Sequence, residues 1–240
     1  MVFEVALNPL ISVIIPAINE AGPLPDTIRR ALDAEGVEAL LADGGSTDGT
    51  AEVAESLGAR VVKSPPGRAA QMNRGAAAAS GAIYLFLHAD TLLPVGYDAL
   101  VRDALSGGAA AGAFTLKINS AMRGLRAVEW LTDFRCKMFG LPYGDQAIFM
   151  RLETFRALGG YREMPIMEDY ELMRRARKIG GIKIIGEPAI TSARRWIKLG
   201  VLRTTLVNQA VILGYIAGVS PERLAKFYRG GGGVFRGTSS

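Results

Sequence analysis

The sequence predicts an α/β fold: a mostly parallel central sheet with helices on both faces, followed by a helical C-terminal segment. Three observations carry that expectation. Four short apolar runs, "ISVIIP" (11–16), "VEALLAD" (37–43), "ARVVKS" (59–64) and "AIYLFL" (82–87), alternate with stretches of helical spacing. Runs of this kind lack the in–out alternation of a half-solvated strand, so they suit strands buried on both faces of a parallel sheet. The chain has 240 residues, 49% hydrophobic and 21% charged, enough for one large domain with a sizeable core.

The elements follow in order. The first run is closed by Pro16, and residues 24–34 then place Leu24, Ile28, Ala31 and Leu32 on one helical face. After the second run, "GGSTDGT" is a turn in which Ser46 or Thr47 caps a helix reaching Leu57. The third run leads to a helix over 68–80 that tolerates Gly75, and the fourth run ends the regular alternation. After residue 106 the pattern loosens. Strands are expected over 110–118 and 146–151, and helices over 121–140 and 168–180. The last of these opens with Glu168 and Asp169, which suits its N-terminal dipole. Residues 199–230 read as a helix pair packed on the domain. Their mixture of apolar and basic residues also suits an interfacial membrane contact through 199–229. The glycine run 230–233 opens a flexible tail.

Composition narrows the function classes. A single cysteine, Cys136, excludes an internal disulfide and a multi-cysteine metal site. With one histidine in the chain, Cys/His or Ser/His nucleophilic chemistry is disfavoured. The net charge is +5, with local basic clusters at 174–178 and 193–196. These fit an anionic substrate or a membrane surface, and no nucleic-acid signature accompanies them. The N-terminal stretch has no basic region or small-residue cleavage site, so no signal peptide is expected and the cytoplasm is the default.

In parallel sheets, ligands bind outside the carboxyl ends of the strands, and here those ends are polar. "PAINE" places Asn19 and Glu20 after the first strand. Asp43 ends the second, where an aspartate bonds a nucleoside or shapes a turn. Arg68 opens the following helix, with Asn73 one turn on, and a helix N-terminus beside a guanidinium suits phosphate. There is no Walker loop, and no GxGxxG follows the first strand. In "HADT" (88–91), residues i and i+2 of an extended chain point the same way, so His88 and Asp90 would face one ligand. Aspartate suits Mg²⁺ or Mn²⁺ and imidazole favours Mn²⁺, although a lone histidine also simply fills a strand end. Asp169 is either a helix-dipole acid or a general base.

Taken in order, "ISVIIPAINE", "DGGSTDGT", "GRAAQMNRGAAAASG", "LFLHADT", "PYGDQAIFMR", "ALGGY", "MEDYEL" and "TSARRW" resemble the family 2 glycosyltransferases, over about residues 11–196. The versions "HAD", "PYGDQ" and "TSARRW" are similar to a bacterial subgroup often labelled as arsenosugar-biosynthesis glycosyltransferases. The resemblance implies a GT-A fold with a Rossmann-like sheet, a nucleotide-diphosphate sugar donor, and inverting transfer to a small-molecule or lipid acceptor. It implies a domain over 1–196, with a donor half to about 106 and an acceptor half to 196. A C-terminal helical segment (197–229) and a tail (230–240) complete the chain. Pro16, Ala17, Asn19, Glu20 and Asp43 would hold the nucleoside, with Gly44 standing where many relatives carry a second acid. Arg68, Asn73 and Ala89 would lie near the nucleotide and diphosphate. Asp90, with His88 in the first position of the motif, would hold Mn²⁺ or Mg²⁺, and Asp169 would be the base. Asp145, Gln146, Glu168, Arg194, Arg195 and Trp196 would serve the diphosphate or acceptor. A nucleotidyltransferase would want a basic, glycine-rich loop after the first strand, and "PAINEAG" has no Lys or Arg. A non-catalytic nucleotide-sugar-binding protein would keep Asp43 and Asp90 without needing Asp169.

Overall fold

The protein is described over residues 9–230 by a computed structural model, in which the apolar runs form the strands they predict. These are β1 (Ile11–Ala17), β2 (Val37–Asp43), β3 (Arg60–Lys63) and β4 (Ile83–Phe86). β1 pairs in parallel with both β2 and β4, and β2 with β3. Between them run α1 (Leu24–Leu32), α2 (Thr50–Ser56) and α3 (Arg68–Ala78). Except for Gly230, the expected tail lies outside the described residues, as do residues 1–8.

The second half continues the same sheet. β5 (Thr91–Leu92), α4 (Tyr97–Ser106), β6 (Ala111–Asn119) and α5 (Leu125–Phe139) precede a single 3₁₀ turn at Gly144–Gln146. β7 (Ile148–Arg151), α6 (Leu152–Leu158), α7 (Glu168–Ile179) and β8 (Ile182–Ser192) follow, then α8 (Arg194–Leu199), α9 (Val201–Ile216) and α10 (Pro221–Arg229). The eight strands lie in the order β3-β2-β1-β4-β7-β6-β8-β5. Only β7 and β5 run antiparallel to their neighbours, so the sheet is mostly parallel.

Apolar side chains cover both faces, as continuous hydrophobic strands require. On one side Val13, Ile15, Leu41 and Leu85 pack with Leu24 and Ile28 of α1 and Tyr97 and Val101 of α4. On the other, Ile14, Tyr84 and Phe86 pack with Met72 of α3, Phe155 of α6 and Leu172 and Met173 of α7. The expected C-terminal helix pair forms, and Val211 of α9 and Leu224 of α10 bury against Met167, at the cap of α7, and Tyr170 in its first turn. The outer surface of α9 leaves Leu202, Leu206, Leu213 and Ile216 exposed. Among the described residues no helix is long and apolar enough to cross a membrane.

Three expectations need correction. Helix α2 begins at Thr50 after Gly49 (φ 88°), not at Ser46 or Thr47. The Ser46 hydroxyl instead donates to Asp43 Oδ1 at 2.5 Å, and the α2 start is held by Asp48, whose Oδ1 accepts the Thr50 N–H at 3.1 Å. The helix expected over 121–140 starts at Leu125, because Gly124 takes a left-handed conformation (φ 93°). The 11-residue strand β8 was not expected. Its register against β6 slips between Phe114–Ile185 and Thr115–Pro188, leaving Gly186 and Glu187 as a bulge that reads as a turn in sequence.

Candidate active site

The carboxyl ends of β1 and β4, the start of α7 and the start of α8 line one cleft of about 780 Å³. A second cavity of about 1030 Å³ shares Arg68, Glu168, Arg194, Arg195 and Tyr228 with it. Buried polar atoms are nearly always hydrogen-bonded in folded proteins. Among the described residues nine such side-chain atoms have no partner, and six of them belong to residues lining the cleft: His88, Tyr143, Asp145, Arg195, Trp196 and Asn208. That concentration of unmet polar groups marks a ligand site.

Asp90 and Glu20 converge on one nitrogen. Arg194 Nη2 lies 2.9 Å from Asp90 Oδ2 and 2.8 Å from Glu20 Oε2. The guanidinium is 54% exposed, so these ion pairs contribute little to stability. Their significance is geometric, because two carboxylates from different loops already face one positive charge. His88 does not join them. Residues 88–91 close a turn in which the Thr91 N–H donates to the His88 carbonyl at 3.1 Å, so the extended geometry that would align His88 with Asp90 is absent. Its buried Nε2 instead faces Gly144, where an added Cβ would sit 2.8 Å from that nitrogen and 3.2 Å from Asp169 Oδ2. His88 therefore borders the Asp169 side of the cleft. Burial and the nearby Arg68 hold its pKa well below the usual histidine value, so it is neutral.

Asp169 is fixed by backbone. Its Oδ2 accepts the Gly144 N–H at 2.6 Å and its Oδ1 accepts its neighbour Tyr170's N–H at 2.6 Å. Met167 caps α7 in a left-handed conformation (φ 71°), an uncommon one for a non-glycine residue. That sharp entry sets Glu168 and Asp169 at the cleft. Glu168 is 5% exposed and lies 3.7 Å from Arg68. Burial, and then Asp169, push its pKa up to about 7, with Arg68 opposing. Burial likewise raises Asp145 to about 6, against the pull of Arg135. Arg135 sits 3.5 Å over the Tyr143 ring, and Arg195 sits 3.6 Å over that of Tyr228. Ala17 and Ala89 are buried at the strand ends, with Pro16 beside them in the cleft wall.

Four expected site residues are turned elsewhere. Asp43 accepts the N–H groups of Gly45 and Ser46 and the Ser46 hydroxyl, which commits both oxygens to its own turn. Asn19 accepts the Thr47 N–H at 2.9 Å and donates its own N–H to Ser46 Oγ, clamping the β1 and β2 loops together. Asn73 exchanges two hydrogen bonds with the backbone of Tyr161, at 2.8 and 2.9 Å, tying α3 to the chain after α6. Gln146 is fully buried, donates to the Phe114 carbonyl, and accepts from the Tyr143 N–H and the Cys136 thiol. Cys136 is thus a buried structural thiol whose pKa is raised by burial.

Residues not singled out from sequence also line the cleft: Ile18, Gln71, Tyr143 and Tyr228. Gln71 is buried and donates to the carbonyls of Ala17 and Ala42 at 2.8 Å, which fixes both strand ends. Gly44 has a packing reason. A Cβ there would lie 2.6 Å from the Ile18 side chain and 3.0 Å from Gln71 Nε2, so Ile18 fills the space a second acid would need. Gly44 beside an exposed apolar Ile18 was the available signal. Nothing in sequence pointed to Tyr228, which lies in a stretch that reads as packing.

Residues 12–132 match the family described as Glycosyl transferase family 2. The chain is 30% identical over 191 residues to the succinoglycan biosynthesis protein ExoA of Rhizobium meliloti, covering 70% of this chain and 58% of that protein. It is 34% identical over 165 residues to a PGL/p-HBAD biosynthesis glycosyltransferase of Mycobacterium bovis, covering 64% of this chain and 63% of that one. The chain thus spans about three-fifths of these curated relatives' length. In fold it is similar to a mannosyltransferase of Pyrobaculum calidifontis solved with GDP-Man and Mn²⁺. The TM-score is 0.65 at 19% identity, over 95% of this chain and 70% of that one.

Proposed function

Because the chain belongs to glycosyl transferase family 2, we propose that it moves a sugar from a nucleotide-diphosphate sugar to an acceptor hydroxyl, in one displacement that inverts the anomeric centre. The observation that carries this reading is the cleft itself: two carboxylates that converge on Arg194 (Glu20, Asp90) and a backbone-held carboxylate (Asp169) share one pocket. One carboxylate placed as base and no activated nucleophile suit a single displacement.

The donor half runs to about residue 106. There the cleft offers Pro16, Ala17 and Ile18 to the nucleoside. Asp43 and Asn19 act by shaping the two loops that hold it. Arg68 at the start of α3 and Arg194 and Arg195 at α8 present guanidiniums to the diphosphate, where charge develops as the glycosidic bond breaks. Asp90 and Glu20 fit a hard divalent cation, because both already aim an oxygen at the Arg194 nitrogen. Among the described residues no group of three or more His, Cys, Asp or Glu is arranged to hold a metal ion, so donor oxygens would complete the shell. Bound there, Mn²⁺ or Mg²⁺ would neutralise the leaving diphosphate. The similar mannosyltransferase, solved with a nucleotide sugar and Mn²⁺, supports both parts of this reading.

In the acceptor half, Asp169 receives the proton of the acceptor hydroxyl as that hydroxyl's oxygen bonds to the anomeric carbon and the bond from this carbon to the departing nucleoside-diphosphate oxygen breaks. Gly144 holds the carboxylate in place, and neutral His88 borders the same space. Asp145 and Trp196 close the wall. A thermal-shift screen of nucleotide sugars, with and without Mn²⁺, tests the donor reading. A rise in Tm with one of them supports it, and no rise with any of them overturns it.

The exposed Ile197, Leu202, Leu206, Leu213 and Ile216 favour an added peripheral membrane contact through α8 and α9. Liposome sedimentation at low salt reads it directly, and absence of binding to anionic vesicles removes it.

A further inference from the structure

We propose that Arg194 is an internal stand-in for the divalent cation. It holds Glu20 and Asp90 while the donor is absent, then yields them to the cation and turns to the diphosphate when the donor arrives. This rests on the donor side of the glycosyl-transfer reading and deepens it, because cation and nucleotide binding then depend on each other through one side chain.

The two carboxylates come from different strand ends, yet both reach a single atom. Arg194 Nη2 lies 2.8 Å from Glu20 Oε2 and 2.9 Å from Asp90 Oδ2. A divalent ion would bind the same oxygens at about 2.0–2.6 Å. A guanidinium carries donors and no lone pair, so it cannot serve as a ligand, and its charge repels the ion. Arg194 and the cation therefore exclude one another from these oxygens. Arg194 lines both cavities, as do Arg68 and Arg195, so the guanidinium that leaves the carboxylates stays among the groups that face the diphosphate.

The surroundings let this side chain move while the backbone stays. Arg194 opens α8, and its next two residues hold that helix down. Arg195 sits 3.6 Å over the Tyr228 ring, and Trp196 is buried with Leu116, Ile118 and Leu125. The Arg194 N–H donates to Ser192 Oγ at 3.2 Å, which fixes the start of the turn. The Arg194 side chain itself is 54% exposed, so each of its ion pairs is weak and opens readily. A new partner of higher charge, the diphosphate, then takes the place of two carboxylates that the cation has neutralised.

The full chain is titrated with Mn²⁺ alone, followed by the loss of the electron paramagnetic resonance signal of free Mn²⁺. Uridine diphosphate and guanosine diphosphate are then titrated calorimetrically, without Mn²⁺ and at saturating Mn²⁺. The proposal expects Arg194→Gln to bind Mn²⁺ alone roughly threefold to tenfold more tightly than wild type, the size of two exposed ion pairs. Arg195→Gln removes the same charge from the same cleft, but from a side chain held on Tyr228, and changes Mn²⁺ affinity less than twofold. Arg194→Gln also weakens the bound diphosphate tenfold or more at saturating Mn²⁺ and less than twofold without it, because only the cation frees Arg194 for the nucleotide. Mn²⁺ binding that is unchanged or undetectable in Arg194→Gln, or that Arg195→Gln strengthens equally, overturns the proposal. So does a loss of nucleotide affinity that is the same with and without Mn²⁺. Failure of both diphosphates to bind wild type speaks against the donor reading instead, and the titration with Mn²⁺ alone still decides whether Arg194 holds the carboxylates against the cation.

Discussion

Replacing Glu168 by Gln is expected to stabilise the protein above neutral pH and to remove a pH dependence of its stability. Glu168 is 5% exposed, and its pKa is pushed from 4.5 to about 7 by burial and by Asp169. The native state therefore holds this proton more tightly than the unfolded chain does. Below about pH 4.5 both states are protonated and the site is neutral in its effect. Between 4.5 and 7 the unfolded chain ionises while the native one keeps its proton, so stability falls as pH rises. Above about pH 7 the cost levels off at roughly 3 kcal/mol, because a tenfold difference in proton affinity is worth about 1.36 kcal/mol. Glutamine cannot ionise, so Glu168→Gln loses this slope. Arg68 loses its partner, but that side chain is 53% exposed, so the loss offsets only a part, about 1 kcal/mol at most. Urea unfolding of both proteins from about pH 4.5 to 8.5 measures the difference, and Asp145, present in both, cancels. The expected gap is near zero at about pH 4.5 and about 2–3 kcal/mol at about pH 8. A gap that stays constant across the range, or that favours wild type at the alkaline end, refutes the reasoning.

Other consequences follow from individual contacts. Gly144→Ala puts a methyl 2.8 Å from His88 Nε2 and 3.2 Å from Asp169 Oδ2. It is expected to lower kcat tenfold or more with little change in donor affinity, read by steady-state kinetics and nucleotide titration. Asn73→Ala removes two hydrogen bonds to the Tyr161 backbone and should cost about 1–3 kcal/mol in urea unfolding while donor affinity holds. A selective loss of donor affinity would return Asn73 to the site. His88→Ala is expected to leave the Mn²⁺ concentration for half-maximal donor binding unchanged, since His88 faces Gly144 and not Asp90. A rise of tenfold would make it a metal ligand after all.

Much of the cleft lining was legible because strand ends in a parallel sheet are fixed by where apolar runs stop. Those stops placed Glu20, His88 and Asp90 at the cleft, and the helix starts placed Arg68, Glu168, Asp169 and Arg194 there. Side-chain direction was not legible. Asp43 and Asn19 stand at the ends of neighbouring strands, yet both stitch backbone together, because a polar residue at a strand end satisfies loop amides as readily as a ligand. His88 and Asp90 parted company because a turn replaced the extended geometry that spacing alone assumes. β8 was missed for a related reason. Its Gly186–Glu187 bulge breaks the period that reveals a strand, and only pairing with β6 restores it.

The measurement that bears most directly on the proposed chemistry is the turnover of Asp169→Asn. Asparagine matches the carboxylate in size, and its one oxygen can keep the Gly144 contact while its amide nitrogen gives up the one from the Tyr170 N–H, but it cannot take a proton at neutral pH. With a nucleotide sugar that raises the Tm of wild type, the account predicts unchanged donor binding and a loss of sugar transfer of about 10²–10⁴-fold, the range for removing a general base. Near-normal turnover by Asp169→Asn would contradict it.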